Sequence, residues 1–270
     1  MYSGTTFAHS SGNFVGVHQK IDRIARSHLK RHIRAGRFPS TLQILHFEGN
    51  NGPDGIKRKS PSKDEPWHYI NPADPSDKGL LKLIADHGVN LTHALQSDNQ
   101  VRAAFEAAWL AHAVVDGLTP AHHYPLNDKI EELWGKPHHE RTTIKDKNII
   151  KGDSRRDTLS KNWQYWGVGG VFTAHLAYEL GVASLIAPHS FKDAGPSAHD
   201  IRRVEQDGFE PFFVETMHAI ASMNLYDEFE QKGWSRQYAV KTRRLLLPLI
   251  IKAVCLAWYA AAYKAEVTTT

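Results

Sequence analysis

Residues 111–123 read AHAVVDGLTPAHH, a stretch that combines a helical apolar pattern with side chains that bind metals. His112 and Asp116 are four residues apart, so on a helix they project from one face, one turn apart. Pro120 breaks the helix and turns the chain, which allows His122 to point back at the same space. Imidazole and carboxylate at this spacing suit zinc. Alone, the pattern also fits a buried histidine beside a helix-terminal aspartate.

Two more histidine–carboxylate pairs have the same helical spacing. One is His18 with Asp22, and the other is His175 with Glu179. Each pair alone is compatible with ordinary packing. The stretch around Glu179 is otherwise apolar, and burying a carboxylate is costly unless it is paired or coordinates a metal. That cost favours a metal-binding role for His175 and Glu179.

A long loop adds further polar residues to these pairs. The turn Gly52-Pro53-Asp54-Gly55 is followed by His68, which Trp67 and Tyr69 flank. Pro-Asp-Gly is also common turn chemistry, and the aromatic residues also fit a core around a satisfied histidine. Loops of this length inside a compact domain tend to be functional. Asp54 and His68 are therefore candidates for the same site as the helical pairs.

The composition limits the chemistry available to such a site. The chain has 270 residues, of which 41% are hydrophobic, so it can fill a sizeable core. A formal charge of +4 tolerates an anionic substrate without indicating a nucleic-acid binder. The single cysteine, Cys255, excludes an intramolecular disulfide and a cysteine-rich zinc site. With 17 histidines, a metal site has to use imidazole and carboxylate.

Apolar periodicity predicts an all-α fold in a single domain over residues 1–270. No segment shows sustained alternation of period two, which would indicate strands. The stretches rich in glycine and proline, or in polar residues and glycine, predict two long loops, at 36–78 and 135–168. Helices are predicted at 15–34, 78–95, 98–116, 170–187, 198–221 (interrupted near Gly208 and Pro211) and 235–264.

Neither a signal peptide nor a membrane span is expected. The chain begins without a basic segment or an apolar h-region, which favours the cytoplasm. The most apolar stretch runs from Leu245 to Tyr263 and is close to membrane-span length. Because it contains Pro248 and Lys252, we expect a buried core helix instead.

In combination and in this order, the motifs resemble those of the zinc-dependent phospholipase C family. The resemblance rests on His18, Pro53-Asp54, His68-Tyr69, His112 with Asp116, Pro120 with His122, and His175 with Glu179. The family shares its helical fold and its trinuclear zinc site with fungal and plant single-strand-specific nucleases. The resemblance therefore implies an all-helical zinc hydrolase of phosphoesters that holds two to three zinc ions.

The resemblance also implies how the metals are held. One metal is expected on His68, His112 and Asp116, with Asp54 beside it as ligand or general base. A second is expected on His18, with Asp116 as a bridge, and a third on His122, His175 and Glu179. Two bridged cations can activate water and hold phosphoryl oxygens. Asp22 lies one turn beyond His18 and is expected to orient it.

Two departures from the family pattern affect this expectation. Family members begin with a tryptophan whose amino group and carbonyl bind the metal shared with His18, whereas this chain begins Met1-Tyr2. Either His9 substitutes, or the chain holds fewer than three metals. The segment between His122 and His175 is also longer than usual.

Four other histidines have to be weighed against the assigned ligands. The pair His138-His139 competes with His175 and Glu179 for the third metal, but two adjacent residues on a polar loop project in divergent directions. His46 and His123 lie near the site in sequence and are assigned structural roles.

Three functional classes are compatible with these residues. The first is an enzyme of phospholipase C type, acting on a lipid or a smaller phosphodiester. The second is a nuclease, for which the basic residues between 20 and 37 and the aromatic Trp67 and Tyr69 would provide phosphate attraction and base stacking. The third is a protein in which zinc only holds the fold. The Gly-Pro-Asp-Gly turn favours the first, and Asp54 and the bridging Asp116 argue against the third.

Overall fold

The computed structural model describes residues 1, 4, 16–59, 68–123, 126–137, 140, 143, 149–167 and 170–267. Within these ranges the regular elements are helices, and no strand occurs. The α-helices are α1 (Val17–Leu29), α2 (Thr41–His46), α3 (Pro53–Lys59), α4 (Gly79–Gln96), α5 (Gln100–Gly117), α6 (Leu126–Trp134), α7 (Arg155–Trp166), α8 (Val171–Ile186), α9 (Ala198–Asp207), α10 (Phe209–Ala221), α11 (Leu225–Lys232), α12 (Arg236–Lys241) and α13 (Leu247–Val267). The prediction of an all-α fold is confirmed.

The last helix, α13, forms the centre of the core. It is apolar on nearly all sides, which is typical of a helix surrounded by protein. It packs against α1, α4 and α5, and its small residues allow close approach. Trp258 is fully buried, and its Nε1 donates a hydrogen bond of 2.8 Å to the carbonyl oxygen of Ala107 in α5. This contact fixes α13 against the helix that carries His112 and Asp116.

By length and hydropathy, two helical stretches would reach across a bilayer. They are Arg155–Ile186 and Arg236–Val267. In the second, 78% of the apolar window is buried against other helices, as in the core helix of a folded domain. The first crosses residues 168–169, which lie outside the described ranges.

Both regions predicted as long loops contain helices. The region 36–78 contains α2, α3 and the 3₁₀ helix Gly49–Asn51, and the region 135–168 contains α7. Ser40 and Gln43 form a capping box at the start of α2, and Pro53 opens α3. Glycine and proline therefore mark helix ends here as well as turns, and α2 and α3 are too short to show an apolar period. The predicted break near Gly208 is confirmed, since Gly208 separates α9 from α10 with a φ of 82°.

Packing at the end of α5 depends on Gly117. A Cβ at this position would lie 2.6 Å from Cζ of Phe213 and 2.8 Å from Cδ2 of Leu80. Both neighbours are buried core side chains. The glycine therefore lets α5 end against α10 and α4 directly after Asp116.

We expect Gly117→Ala to destabilise the metal-free protein by about 1–3 kcal/mol, because the added methyl group overpacks the core. The matched control is Gly88→Ala in the middle of α4, where a Cβ meets nothing within 4 Å. Alanine there should stabilise the protein by about 0.5–1 kcal/mol through helix propensity. Urea unfolding measures both effects, and equal stabilities for the two variants would contradict the packing described for α5.

Candidate metal centre

The carboxylate of Asp116, buried near the end of α5, lies at the centre of a cluster of histidines. Its Oδ2 is 2.6 Å from Nδ1 of His68 and 3.2 Å from Nε2 of His112. Nε2 of His112 also lies 3.9 Å from Oδ1 of Asp54 in α3. Asp54 is the most exposed of these residues, with 25% of its side chain accessible. The structure thus brings together the four residues predicted for the first metal.

The other oxygen of Asp116, Oδ1, faces a different set of groups. It is 3.3 Å from Nε2 of His18 in α1 and 3.2 Å from Nδ1 of His122. The ring of His18 is fully buried and stacks on His112 with 4.0 Å between centroids. Neither ring nitrogen of His18 has a hydrogen-bond partner. A buried imidazole without such partners is costly, so His18 is a candidate metal ligand.

The amino group of Met1 occupies the same side of the cluster. It lies 2.9 Å from Oδ1 of Asp116, 3.3 Å from Nε2 of His122 and 3.4 Å from Oε1 of Glu179. The Met1 side chain is buried in the hydrophobic core. The alternative ligand His9 lies outside the described residues.

The third predicted set is also brought together. Nε2 of His175 is 3.0 Å from Oε1 of Glu179, and Nε2 of His122 is 3.3 Å from the same oxygen. The two imidazole rings are stacked, with 5.2 Å between centroids. Donor atoms of all three residues lie within 4.8 Å of one another. His138 and His139, the competing pair, lie outside the described residues.

The surroundings of Glu179 differ from the expected apolar burial. Leu176 and Leu180, on the same helix, are 38% and 45% exposed. Glu179 itself keeps 14% of its side chain accessible. The Glu179 carboxylate is therefore stabilised by the positive and polar groups of the cluster, and its surroundings on α8 are not apolar. Close packing fixes the helix on another side, where Trp234 lies against Gly181 and its Nε1 donates to the carbonyl oxygen of Ala177.

A reciprocal pair of hydrogen bonds connects two candidate ligands. Nδ1 of His122 donates to the carbonyl oxygen of His68 at 2.9 Å, and the backbone N–H of Ile70 donates to the carbonyl oxygen of His122 at 3.2 Å. His122 belongs to the 3₁₀ helix Pro120–His122, which directly follows α5. The turn after Pro120 was predicted to return His122 to the site, and the structure has it there.

One buried carboxylate beside the cluster was not identified from the sequence. Glu48 is fully buried, and its Oε1 and Oε2 lie 3.1 and 3.3 Å from Nδ1 of His112. No histidine stands four residues away from it, so helical spacing gave no signal. Its position just before Gly49 and the Gly-Pro-Asp-Gly turn is the only sequence feature that could have pointed to it.

Asp22, expected to orient His18, makes no hydrogen bond to it among the described contacts. Asp22 is buried, and neither of its carboxylate oxygens has a hydrogen-bond partner. Burial, together with the negative charge of Glu48, raises the pKa of Asp22 well above its ordinary value. Asp22 therefore lies near the Glu48–His112 contact.

The two histidines singled out as possible extra ligands are not part of the cluster. His46 is exposed at the end of α2. Nε2 of His123 donates to the carbonyl oxygen of Gly117 at 2.8 Å, a bond that fixes the chain after α5. Their structural assignment agrees with these positions.

Electrostatics keep the central carboxylate ionised. Burial would raise the pKa of Asp116, but His122, the Met1 ammonium and His112 outweigh burial and hold the pKa well below its usual range. Burial also lowers the pKa of His122 to about 3, so that its ring is neutral. His112 behaves in the opposite way. Burial would lower its pKa, but the carboxylates of Glu48 and Asp116 hold it well above its ordinary value.

Comparison with known proteins shows which solved structure has a similar fold. No protein-family model matches the chain, and no curated protein matches it in sequence. Among solved structures, the chain is similar to alpha-toxin from an avian strain of Clostridium perfringens, with a TM-score of 0.63 and 12% sequence identity. The match covers 98% of this chain and 66% of the toxin chain. The chain thus spans a little under two thirds of the toxin chain and shares the fold of that part.

We expect zinc binding at pH 7 to release protons. In the metal-free protein His112 is held protonated, and the carboxylates around Met1 outweigh burial and raise the pKa of its amino group to about 10. A metal needs both groups deprotonated. Zinc affinity should therefore rise from pH 6 to pH 8. For the stability of the metal-free protein we expect the opposite dependence on pH. The raised pKa of His112 stabilises the fold at low pH, and that contribution is lost as the pH rises through the raised pKa.

Calorimetric titration with zinc in two buffers of different ionisation enthalpy measures the proton release. A binding heat that does not depend on the buffer would show that both groups are already deprotonated.

Proposed function

We propose that this chain is a zinc-dependent phosphoester hydrolase that cleaves a phosphodiester, as the zinc-dependent phospholipases C do. The observation that carries the proposal is the arrangement around Asp116, whose two oxygens each face imidazoles from separate segments. Asp54 stands at the accessible edge of this arrangement. The shared fold with alpha-toxin supports the architecture on which the proposal depends.

The donor set fits zinc. It consists of imidazoles and carboxylates, and the single cysteine is buried in α13 as part of the core. We assign the first ion to His68, His112 and Asp116, with Asp54 beside it as ligand or general base. The second ion is assigned to His18, Asp116 and the Met1 amino group, and the third to His122, His175 and Glu179. This assignment predicts two to three ions. The unpartnered ring nitrogens of His18 support the second position in particular.

The protein groups around the metals have distinct roles in hydrolysis. Bound zinc would supply Lewis-acid chemistry, activating water and neutralising charge on phosphoryl oxygens. Asp116 provides the negative charge between two cations. Partial removal of the Asp54 carboxyl group from water would raise its pKa, but neighbouring His112 and His68 outweigh this effect and lower the pKa to about 2, so Asp54 is ionised at neutral pH. Its carboxylate can accept the proton of a water molecule that attacks phosphorus, and its exposure gives substrate access.

Two other functions have less support. A purely structural zinc site is normally closed, whereas Asp54 and Glu179 remain partly accessible. For a nuclease, the guanidinium of Arg26 in the basic helix is used within the fold, donating to the carbonyl oxygens of Phe38 and Pro39. Trp67 lies outside the described residues, and the ring of Tyr69 lies 5.2 Å from the ring of His122 in the third set. A lipid or smaller phosphodiester therefore remains the proposed substrate, and nucleic acid is an outcome of the test.

Asp54→Asn tests the catalytic assignment. We expect wild-type protein to hold two to three zinc ions and to hydrolyse a chromogenic phosphodiester and phosphatidylcholine micelles. The variant should lose about 10²-fold or more in turnover while keeping most of its zinc, because it lacks the proton acceptor. His46→Ala, an exposed histidine outside the cluster, is the control and should leave both quantities unchanged.

Elemental analysis measures the zinc content per chain, and the hydrolysis assays measure the rate on each substrate. Zero or one zinc per chain in the wild type would contradict the proposal. Wholesale zinc loss in Asp54→Asn would make Asp54 a full ligand, and faster cleavage of single-stranded DNA than of lipid would make the chain a nuclease.

Glu179→Gln tests the third metal position. We expect it to lower zinc content by about one equivalent and to reduce turnover, because an amide binds zinc less well than a carboxylate. The double variant His138→Ala, His139→Ala should leave zinc content and turnover nearly intact. The reverse pattern in the same two measurements would move the third metal to the segment that contains His138 and His139.

A further inference from the structure

Glu48 is a fully buried carboxylate to which the assignments above give no role. It follows α2 and lies immediately before the 3₁₀ helix Gly49–Asn51. Its carboxylate accepts a hydrogen bond from the backbone N–H of Gly49 at 2.9 Å and lies 3.1 Å from Nδ1 of His112. A buried charge of this kind is retained only with partners that satisfy it. Glu48 therefore joins a turn in one part of the chain to a histidine on α5.

We propose that Glu48 is the positioning residue of the metal centre, aligning His112 and Asp54 at the same time. The proposal rests on the proposed function, because it assigns a role toward the same metals. Glu48 acts through other residues and does not itself bind metal.

The contact with His112 fixes the tautomer of that ring. When Nδ1–H donates to Glu48, Nε2 carries the lone pair. Nε2 is the nitrogen that faces Asp116 and Asp54, at 3.2 and 3.9 Å. Histidines that bind metals commonly donate their other ring N–H to a carboxylate, which sets the ring orientation and makes the ligand more basic. Glu48 supplies that carboxylate for His112.

The contact with Gly49 fixes the turn before α3 and thereby the position of Asp54. Glu48 caps the 3₁₀ helix, and Gly49 has a φ of 67°, which favours glycine. A Cβ on Gly52 would lie 2.9 Å from Cα of Glu48, and a Cβ on Gly55 would lie 2.1 Å from the carbonyl oxygen of Asn50. Glycine is therefore needed on both sides of Asp54, because the start of α3 packs directly on the segment that Glu48 begins. This explains the Gly-Pro-Asp-Gly pattern by close packing.

The geometry favours positioning over direct coordination. Donor atoms of His18, Glu48 and His112 lie within 4.8 Å of one another, a spacing that would also suit a metal. However, Glu48 faces Nδ1 of His112, and Asp116 faces Nε2. The two ring nitrogens point in divergent directions, so a metal bound between His112 and Asp116 lies on the far side of the ring from Glu48.

The experiment compares zinc binding by Glu48→Gln with zinc binding by a matched control. In the variant, one amide oxygen has to serve both the Gly49 N–H and the His112 N–H. The control is Glu106→Gln, which changes another fully buried glutamate that contacts a histidine, with 2.6 Å between its Oε2 and Nδ1 of His87. Chelator competition gives the zinc affinity, elemental analysis gives the number of ions, and circular dichroism of the metal-free proteins compares their folds.

We expect Glu48→Gln to bind the same number of ions as wild type, with the affinity for one of them lowered by about 10- to 100-fold. Glu106→Gln should bind zinc like wild type. An unchanged affinity in Glu48→Gln would overturn the proposal. Loss of one full equivalent, with the rest bound normally, would also overturn it, because Glu48 would then be a ligand.

A second measurement needs no variant and covers the case in which Glu48→Gln does not fold. In zinc-loaded wild-type protein, long-range ¹H–¹⁵N correlation should show His112 with its proton on Nδ1. A proton on Nε2 would contradict the role of Glu48. These readouts do not depend on turnover. A wild type that binds zinc but cleaves no phosphodiester would remove the proposed function and leave this inference standing.

Discussion

The structure depends on one charged side chain that is buried away from water, the carboxylate of Asp116. Asp116 lies on α5, a helix packed against the central helix α13, and its carboxylate is almost completely buried. Burying an isolated carboxylate is prohibitively costly, so the fold has to bring positive or hydrogen-bonding groups to it. Those groups come from the first residue, from α1, from the segment after residue 67 and from the turn after α5. Folding and assembly of this cluster of candidate ligands are therefore the same event.

The fold was predictable where helices are long. An apolar period over three or more turns predicted α1, α4, α5, α8 and the final helix. Shorter helices such as α2 and α3 have no room for a period, and their sequences are dominated by capping residues and glycine. Helix α7 was missed for a different reason, because Leu159 and Trp163 on it are exposed and most of its other residues are polar, so no apolar face was visible.

The candidate site was predictable where ligands share a helix. The four-residue spacing identified His112 with Asp116 and His175 with Glu179, and the structure brings both pairs into one cluster. The same spacing assigned Asp22 to His18, but no hydrogen bond joins them in the structure. Local spacing identifies residues on one face and does not identify what lies opposite that face.

Contacts between distant segments account for what the sequence did not reveal. Glu48 reaches His112 across 64 residues, a contact that depends entirely on how α2 and α5 pack. The amino group of Met1 is a backbone group, so residue type carries no information about it. Both are tertiary contacts, and the local sequence contains no pattern that predicts them.

The hydrogen bonds exchanged between the segments of His68 and His122 connect two of the proposed metal positions. His68 belongs to the first proposed set of ligands and His122 to the third. Each of the two segments accepts a hydrogen bond from the other, so each fixes the position of the other. A metal that orders one segment therefore also orders the other, and linkage makes this effect reciprocal. We therefore expect zinc to bind with positive cooperativity. At zinc concentrations below saturation, most molecules should carry either no zinc or the full number of ions, and few should be partly loaded.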